Sequence, residues 1–119
     1  MDHTPVRNLM SCVLHVVTNA RILHWNTASY AEHKALGGFY DSLGDLADTY
    51  AEAYMGIYGR FGMIASKTET YERATDLVDY AATAIQTYRS QLPNDTQLQN
   101  ILDEMAASVD KTAYLLTLK

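Results

Sequence analysis

Two histidines and four acids between residues 24 and 52 are the side chains best suited to chemistry. His24 and His33 lie nine residues apart across a short polar break. The acids follow at spacings of four, three and four residues, which places them on one stripe of a helix. They are Asp41, Asp45, Asp48 and Glu52. Imidazole nitrogens combined with carboxylate oxygens suit iron or zinc better than calcium or magnesium.

Within one helix, His33 and Asp48 are too far apart to share an ion. The fifteen residues between them span roughly 22 Å at about 1.5 Å per residue. An antiparallel second copy of the helix would bring His33 of one chain to Asp48 and Glu52 of the other, twice over. Two-fold pairing of this kind is the commonest oligomeric arrangement. The spacing therefore predicts an intersubunit metal site, two per dimer.

A seam of small residues runs between the acidic stripe and the apolar face of the same helix. Gly37, Gly44 and Ala51 recur at seven-residue intervals, near the angular position of His33. Small side chains allow close helix approach, so we expect the second copy to pack along this seam. The apolar face should turn toward the chain's own bundle; it comprises Leu36, Phe39, Leu43, Ala47, Tyr50 and Tyr54.

The same residues resemble a known family. A His24-Trp25-Asn26 motif, a second histidine, an acid fifteen residues later and a glutamate four after that resemble the Dps mini-ferritins (DNA-binding proteins from starved cells). The resemblance covers roughly residues 21–55. It implies a ferroxidase centre between two subunits, with both histidines from one subunit and both acids from the other. Carried over by position, the implied ligands and catalytic residues are His24, His33, Asp48 and Glu52.

The resemblance further implies a ferritin-like fold that oxidises ferrous iron with peroxide or oxygen and sequesters it, in iron storage and oxidative stress. Zinc is an alternative occupant, and the family's assembly is a twelve-subunit cage. The sequence departs from the family in a shorter break between the histidines, a shorter chain, and Gly37 where an acid is expected. The alternative is therefore a non-catalytic helical interaction protein that kept the bundle and dimer but lost the metal chemistry.

Composition favours one folded domain over residues 1–119, because 48% of residues are hydrophobic and 19% are charged. A net charge of −5 without a basic run argues against nucleic acid as a partner. The single cysteine, Cys12, cannot form an internal disulfide and is expected as a small buried residue in a reducing, cytoplasmic compartment. No apolar run approaches the ~20 residues needed to cross a membrane.

Apolar periodicity predicts an all-α four-helix bundle, with antiparallel helices and short connections, and the resemblance implies that this bundle is ferritin-like. The link after the second helix, at about residues 59–67, is the longest of these. The predicted helix starts are Thr4-Pro5, the capping box Ser29–Glu32, a second capping box Ser66–Glu69, and Asn94 or Asp95. The second helix should end near Tyr58, where glycines begin.

Several side chains near the predicted site have plainer interpretations. Trp25 is expected to pack at the corner between the first two helices. Asp41 and Asp45 are expected to be solvated, with an outer shell around a metal as the alternative. Tyr40 and Tyr58 fit the apolar face, and a hydroxyl from either could also donate to a site carboxylate.

Overall fold

Four helices form the chain in a computed structural model that describes residues 1–119. They are α1 (Thr4–Asn26), α2 (Tyr30–Tyr58), α3 (Ala74–Arg89) and α4 (Thr96–Leu115). Helix α1 packs against α2 and α3, and α4 packs against the same two helices on the opposite side. The prediction of an all-α four-helix bundle is confirmed. None of the four helices combines the length and apolar character that a membrane crossing requires.

The core is one cluster of 23 buried apolar residues that draws on every helix. The apolar face predicted for α2 is buried throughout, with Tyr50 and Tyr54 its largest members. On α4 the buried row recurs every three or four residues, as ridges packing into grooves require. Its members are Leu98, Ile101, Leu102, Met105, Val109 and Thr112.

Residues 59–73 connect α2 to α3 as a long crossover that follows α1 from its beginning toward its end. Four polar α1 residues hold it: Arg7 donates to the carbonyl of Phe61, and Ser11 to that of Ala65. Further along, the His15 Nδ1 donates to the Lys67 carbonyl at 2.5 Å, and the Asn19 side-chain oxygen accepts from the Glu69 amide at 3.3 Å. Because the crossover ends beside the far end of α1, α3 runs back antiparallel to α1. One long crossover is the connectivity of ferritin-like bundles.

The polar stripe, defined as Arg7, Ser11, His15 and Asn19, matches the spacing of an extended chain from Ser11 to Asn19. Four residues of helix rise about 6 Å, and two residues of extended chain rise about 6.6 Å. Every second backbone group from Ala65 to Glu69 therefore meets the next residue of the stripe. The prediction of a capping box at Ser66–Glu69 is wrong for this reason: these residues bond to α1, and α3 begins only at Ala74.

Helix ends elsewhere follow the sequence more closely. The Ser29 hydroxyl accepts from the Glu32 amide, which confirms Ser29 as the cap of α2. The predicted capping box is incomplete, because the Glu32 carboxylate accepts from the Thr27 hydroxyl and not from the Ser29 amide. Helix α2 ends at Tyr58 as predicted. The connections after α1 and α3 are short, also as predicted. Asp95 occupies the predicted position before α4 without capping it, because its carboxylate accepts from the Tyr58 hydroxyl instead.

Replacing His15 by alanine should loosen the crossover. His15 is buried and bonds to both the Lys67 carbonyl and the Tyr71 hydroxyl, so its loss leaves two polar groups unpaired. We expect a loss of about 1–3 kcal/mol in the free energy of unfolding, measured by urea denaturation. Hydrogen exchange should accelerate at the amides of residues 61–71 more than at those of α4. Ser11→Ala, which removes an exposed bond, should cost less; equal losses would contradict this account.

Tyr50 is fully buried in the core, and its hydroxyl makes no hydrogen bond within the protein. Burial raises the pKa of this hydroxyl well above its ordinary value, with smaller contributions from the nearby Tyr54 and Asp95. Burial likewise raises the pKa of Tyr54, and the hydrogen bond to the Asp95 carboxylate raises that of Tyr58. Just above pH ~10, the folded chain thus keeps these hydroxyls neutral, whereas the unfolded chain would ionise them.

Tyr50→Phe should stabilise the protein, because it removes an unpaired buried hydroxyl without changing the ring. We expect a gain of about 1 kcal/mol at pH 7. Stability should be constant below the unfolded pKa of about 10 and fall above it, since only the unfolded chain releases these protons. The variant should lessen that alkaline decline by up to about 1.4 kcal/mol per pH unit. Denaturation across pH 7–11 tests this, with exposed Tyr114→Phe as the unchanged control.

Candidate metal centre at the corner between the first two helices

His24 and His33 meet where α1 gives way to α2. The two rings stack with centroids 3.7 Å apart and an interplanar angle of 14°. Each ring bonds to the backbone of the other residue: His24 Nδ1 to the His33 carbonyl at 2.6 Å, and His33 Nδ1 to the His24 carbonyl at 2.7 Å. The pair thus forms a reciprocal clasp across the corner.

The reciprocal bonds fix the tautomer of both rings. A carbonyl oxygen only accepts hydrogen bonds, so each Nδ1 must carry a proton. In the neutral ring the remaining lone pair is then on Nε2, and neither Nε2 has a hydrogen-bond partner in the protein. Metal-binding histidines commonly donate their other ring N–H to a carbonyl or carboxylate, which orients the ring. Both histidines therefore have the bonding pattern of a ligand.

Aromatic and cationic neighbours surround the clasp. The Tyr40 ring meets His24 edge-on at 5.3 Å, and the Arg21 guanidinium lies 4.6 Å from the Tyr40 centroid. Tyr30 stacks on His33 at a longer distance of 6.4 Å and is largely exposed. Tyr40 thereby supports the His24 ring from the α2 side. Its side chain, which was expected on the apolar face, is half-buried.

Gly37 makes room for His24. A Cβ at residue 37 would lie 3.0 Å from His24 Cε1 and 3.2 Å from Nδ1, closer than side-chain atoms normally approach. The clasp thus gives a structural reason for a glycine at the position where the Dps resemblance leads one to expect an acid. A carboxylate there would require the His24 ring to move.

The small-residue seam faces α1 of the same chain, not a free surface. Gly37 lies against His24, and a Cβ at Gly44 would be 4.0 Å from Val17. Ala51, the third member, packs at the border of the core. The expectation that a second copy packs along this seam is therefore wrong as stated, because α1 already occupies it.

Asp48 and Glu52 lie on the solvent-facing side of α2, with Asp41 and Asp45 on the same stripe. All four are exposed, and none is in an ion pair; the two ion pairs of the chain join Arg73 to Asp76 and Arg89 to Asp103. No three His, Cys, Asp or Glu side chains of one chain converge on a point that could hold a metal. The structure thus brings His24 and His33 together and leaves Asp48 and Glu52 apart from them.

Two other expectations concern residues near the clasp. Trp25 does not pack at the corner: it is 68% exposed, because the adjacent His24 takes the inward position. Tyr58 donates to Asp95, away from the predicted ligands. Cys12, expected to be buried, is half-buried.

Sequence reasoning also missed two histidines with fixed partners. His15 bonds to Tyr71, and His3 Nδ1 bonds to the Tyr54 hydroxyl at 2.8 Å. The four-residue spacing of the polar stripe on an otherwise apolar helix was the signal for His15.

The fold and clasp define a small four-helix bundle with one long crossover between α2 and α3 and a histidine pair at its first corner. A model for a family of unknown function, DUF5856, matches residues 24–116, and the chain belongs to this family. An uncharacterized 14.6 kDa protein in the mobD-ri intergenic region of Enterobacteria phage T4 is 30% identical over 102 residues, covering 81% of this chain and 75% of the relative. No solved structure matches the chain.

Two adjacent glycines offer a matched test of the clasp. Gly38→Ala should stabilise the protein by about 0.5–1 kcal/mol, since alanine favours helix and nothing lies within 4 Å of the new methyl. Gly37→Ala should lose that gain and become destabilising, because its methyl contacts the His24 ring. Thermal unfolding compares the two directly. An equal gain from both substitutions would show that the His24 ring does not occupy the described position.

Proposed function

We propose that the protein binds a transition metal, with iron as the favoured ion, between two copies of the chain, and oxidises ferrous iron there. His24 and His33 of one copy supply nitrogen ligands. Asp48 and Glu52 of the other supply oxygen ligands. The observation that carries this proposal is the clasp, in which both Nδ1 atoms are committed to backbone carbonyls and both Nε2 atoms are free.

The stacking of the two imidazole rings determines how they would bind metal ions. The two rings are nearly parallel, with centroids 3.7 Å apart. Because an imidazole binds a metal close to its own ring plane, His24 and His33 would each hold a separate ion in this conformation. The carboxylate of Glu52 would supply oxygen ligands beside them.

The acids of α2 support the proposal through charge. Asp48 and Glu52 stand on adjacent turns, and Asp41 and Asp45 extend the same stripe without a basic partner. Like charges at this spacing oppose one another mildly, and a bound cation relieves that repulsion. Because Asp48 is about 22 Å along the helix from His33 of its own chain, the oxygen ligands must come from a second copy.

Ferrous iron would be the substrate of this site. Hydrogen peroxide would accept one electron from each of two ferrous ions and, with two protons from solvent, become two water molecules, leaving two ferric ions. Carboxylate oxygens favour the more highly charged ferric ion over the ferrous ion, so the ferric product would stay bound to the protein. The chain's own residues bind and orient the ions, and the clasp keeps the two imidazoles in the tautomer that binds metal.

The alternative function is a helical interaction protein in which the clasp only ties α1 to α2. One observation favours it: the stack and the two backbone bonds by themselves account for the position of both rings. This alternative predicts the same fold with no tight binding of iron or zinc.

Metal titration separates the two functions. Wild-type protein should bind ferrous iron anaerobically, and zinc in air, in an isothermal titration. His33→Ala and Glu52→Ala should each weaken binding by at least about tenfold, since loss of even an outer partner costs 10–100-fold. Asp79→Asn, at an exposed position on α3, is the control and should bind normally. Peroxide-driven iron oxidation, followed by absorbance, should fall in the same two variants; equal oxidation by all of them removes the site.

Mixing the two inactive variants tests whether the ligands come from different copies. A heterodimer of His33→Ala with Glu52→Ala has one intact site, built from the unmutated histidine of one copy and the unmutated glutamate of the other. Random exchange should therefore restore about a quarter of the wild-type sites. No recovery, after mass measurement has shown that the copies exchange, would contradict an intersubunit site.

A further inference from the structure

A groove of about 770 Å³ runs between α2 and α4, on the other side of α2 from the histidine clasp. Its α2 wall spans residues 34–46 and its α4 wall residues 104–115. We propose that this groove is the docking surface for a second copy of the chain, which lies antiparallel across it. The charges at its two ends, and the size of the residues at its middle, carry this inference.

The groove is positive at one end and negative at the other. Lys34 and Lys111 line the end near the start of α2, and Asp45 and Glu104 line the opposite end. All four side chains are exposed, and none is in an ion pair within the chain. The two signs are about 16 Å apart along α2 and about 10 Å apart along α4. The charges of this groove therefore have no partner in their own chain. The grooves of two copies are complementary in charge when one is reversed relative to the other.

The charge pattern selects one orientation of the second copy. A two-fold axis that crosses the groove reverses its long direction, so Lys34 meets the Asp45 of the other copy and Lys111 meets its Glu104. A two-fold axis along the groove would instead set lysines against lysines and acids against acids, which is unfavourable. The first arrangement makes four intersubunit ion pairs and places α2 antiparallel to its counterpart. It is isologous and closed, as most homodimers are.

The middle of the groove permits the close approach that this dimer needs. The axis would cross α2 midway between Lys34 and Asp45, between positions 39 and 40, and α4 midway between Glu104 and Lys111, between positions 107 and 108. The exposed groove residues nearest to these two points are Gly38 and Ala107. Neither residue carries a side chain larger than a methyl group, and a Cβ added at Gly38 would meet nothing within 4 Å. The bulky charged residues are thus at the ends, and the smallest residues are at the point of contact.

None of the groove residues is a ligand in the metal proposal. The groove and the clasp lie on opposite sides of α2, so this dimer does not bring His33 to the other copy's Asp48 and is a contact distinct from the proposed metal site. The groove dimer needs no ion. Measurements in EDTA therefore test it separately from metal binding.

Charge reversal gives a decisive test by light-scattering mass in EDTA. Wild type should be a dimer. The double variant Lys34→Glu/Lys111→Glu has four acids in its groove, and Asp45→Lys/Glu104→Lys has four lysines; each should have a dimer dissociation constant raised at least about tenfold. An equimolar mixture of the two should form dimers again, because every facing pair in the heterodimer is then of opposite charge.

A third variant controls for net charge. Glu72→Lys/Asp79→Lys changes the charge as much as Asp45→Lys/Glu104→Lys does, at exposed positions outside the groove, and should keep the wild-type mass. Circular dichroism should show that all variants retain the helical fold. A monomeric wild type, unchanged masses in both groove variants, or a mixture that stays monomeric would each overturn the proposal.

Discussion

The fold depends on how an extended segment satisfies its backbone polar groups without a sheet. Residues 59–73 must travel the length of α1 so that α3 and α4 can close the bundle, and a chain lying on a helix has few backbone partners to bond. The polar stripe supplies them at Arg7, Ser11, His15 and Asn19. Without these bonds the connection would have no fixed path, and nothing would direct α3 to its place beside α1.

The clasp shows a second use of backbone groups as anchors. The carbonyls of His24 and His33 each orient the ring of the other residue, so two flexible side chains are held at a helix corner. Gly37 leaves the space in which one of them sits. A histidine whose Nδ1 is committed to a carbonyl and whose Nε2 is without a partner is thereby produced by local structure alone, before any ion or second copy is considered.

The sequence predicted those features that arise from local pattern. Apolar spacing identified the buried face of α2. The capping residue Ser29 correctly marked the start of this helix, which begins at Tyr30. It also identified His24 and His33 as neighbours, because a tight corner brings its two flanks together. It could not reveal that Gly37 and Gly44 face α1, since small residues suit a partner within the chain as well as one outside it. The Ser66–Glu69 cap failed because long-range bonds to α1 override local helix signals.

The match in rise between the crossover and the polar stripe makes this connection unlike an ordinary surface loop. Two extended residues cover nearly the same distance as one turn of helix, so alternate backbone groups of the crossover meet successive side chains of the polar stripe. Adding or removing one residue between Ala65 and Glu69 would shift every later backbone group away from its hydrogen-bond partner on α1. It would also turn the carbonyl of residue 67 away from His15. In evolution the length of this segment should therefore vary far less than its amino acids do.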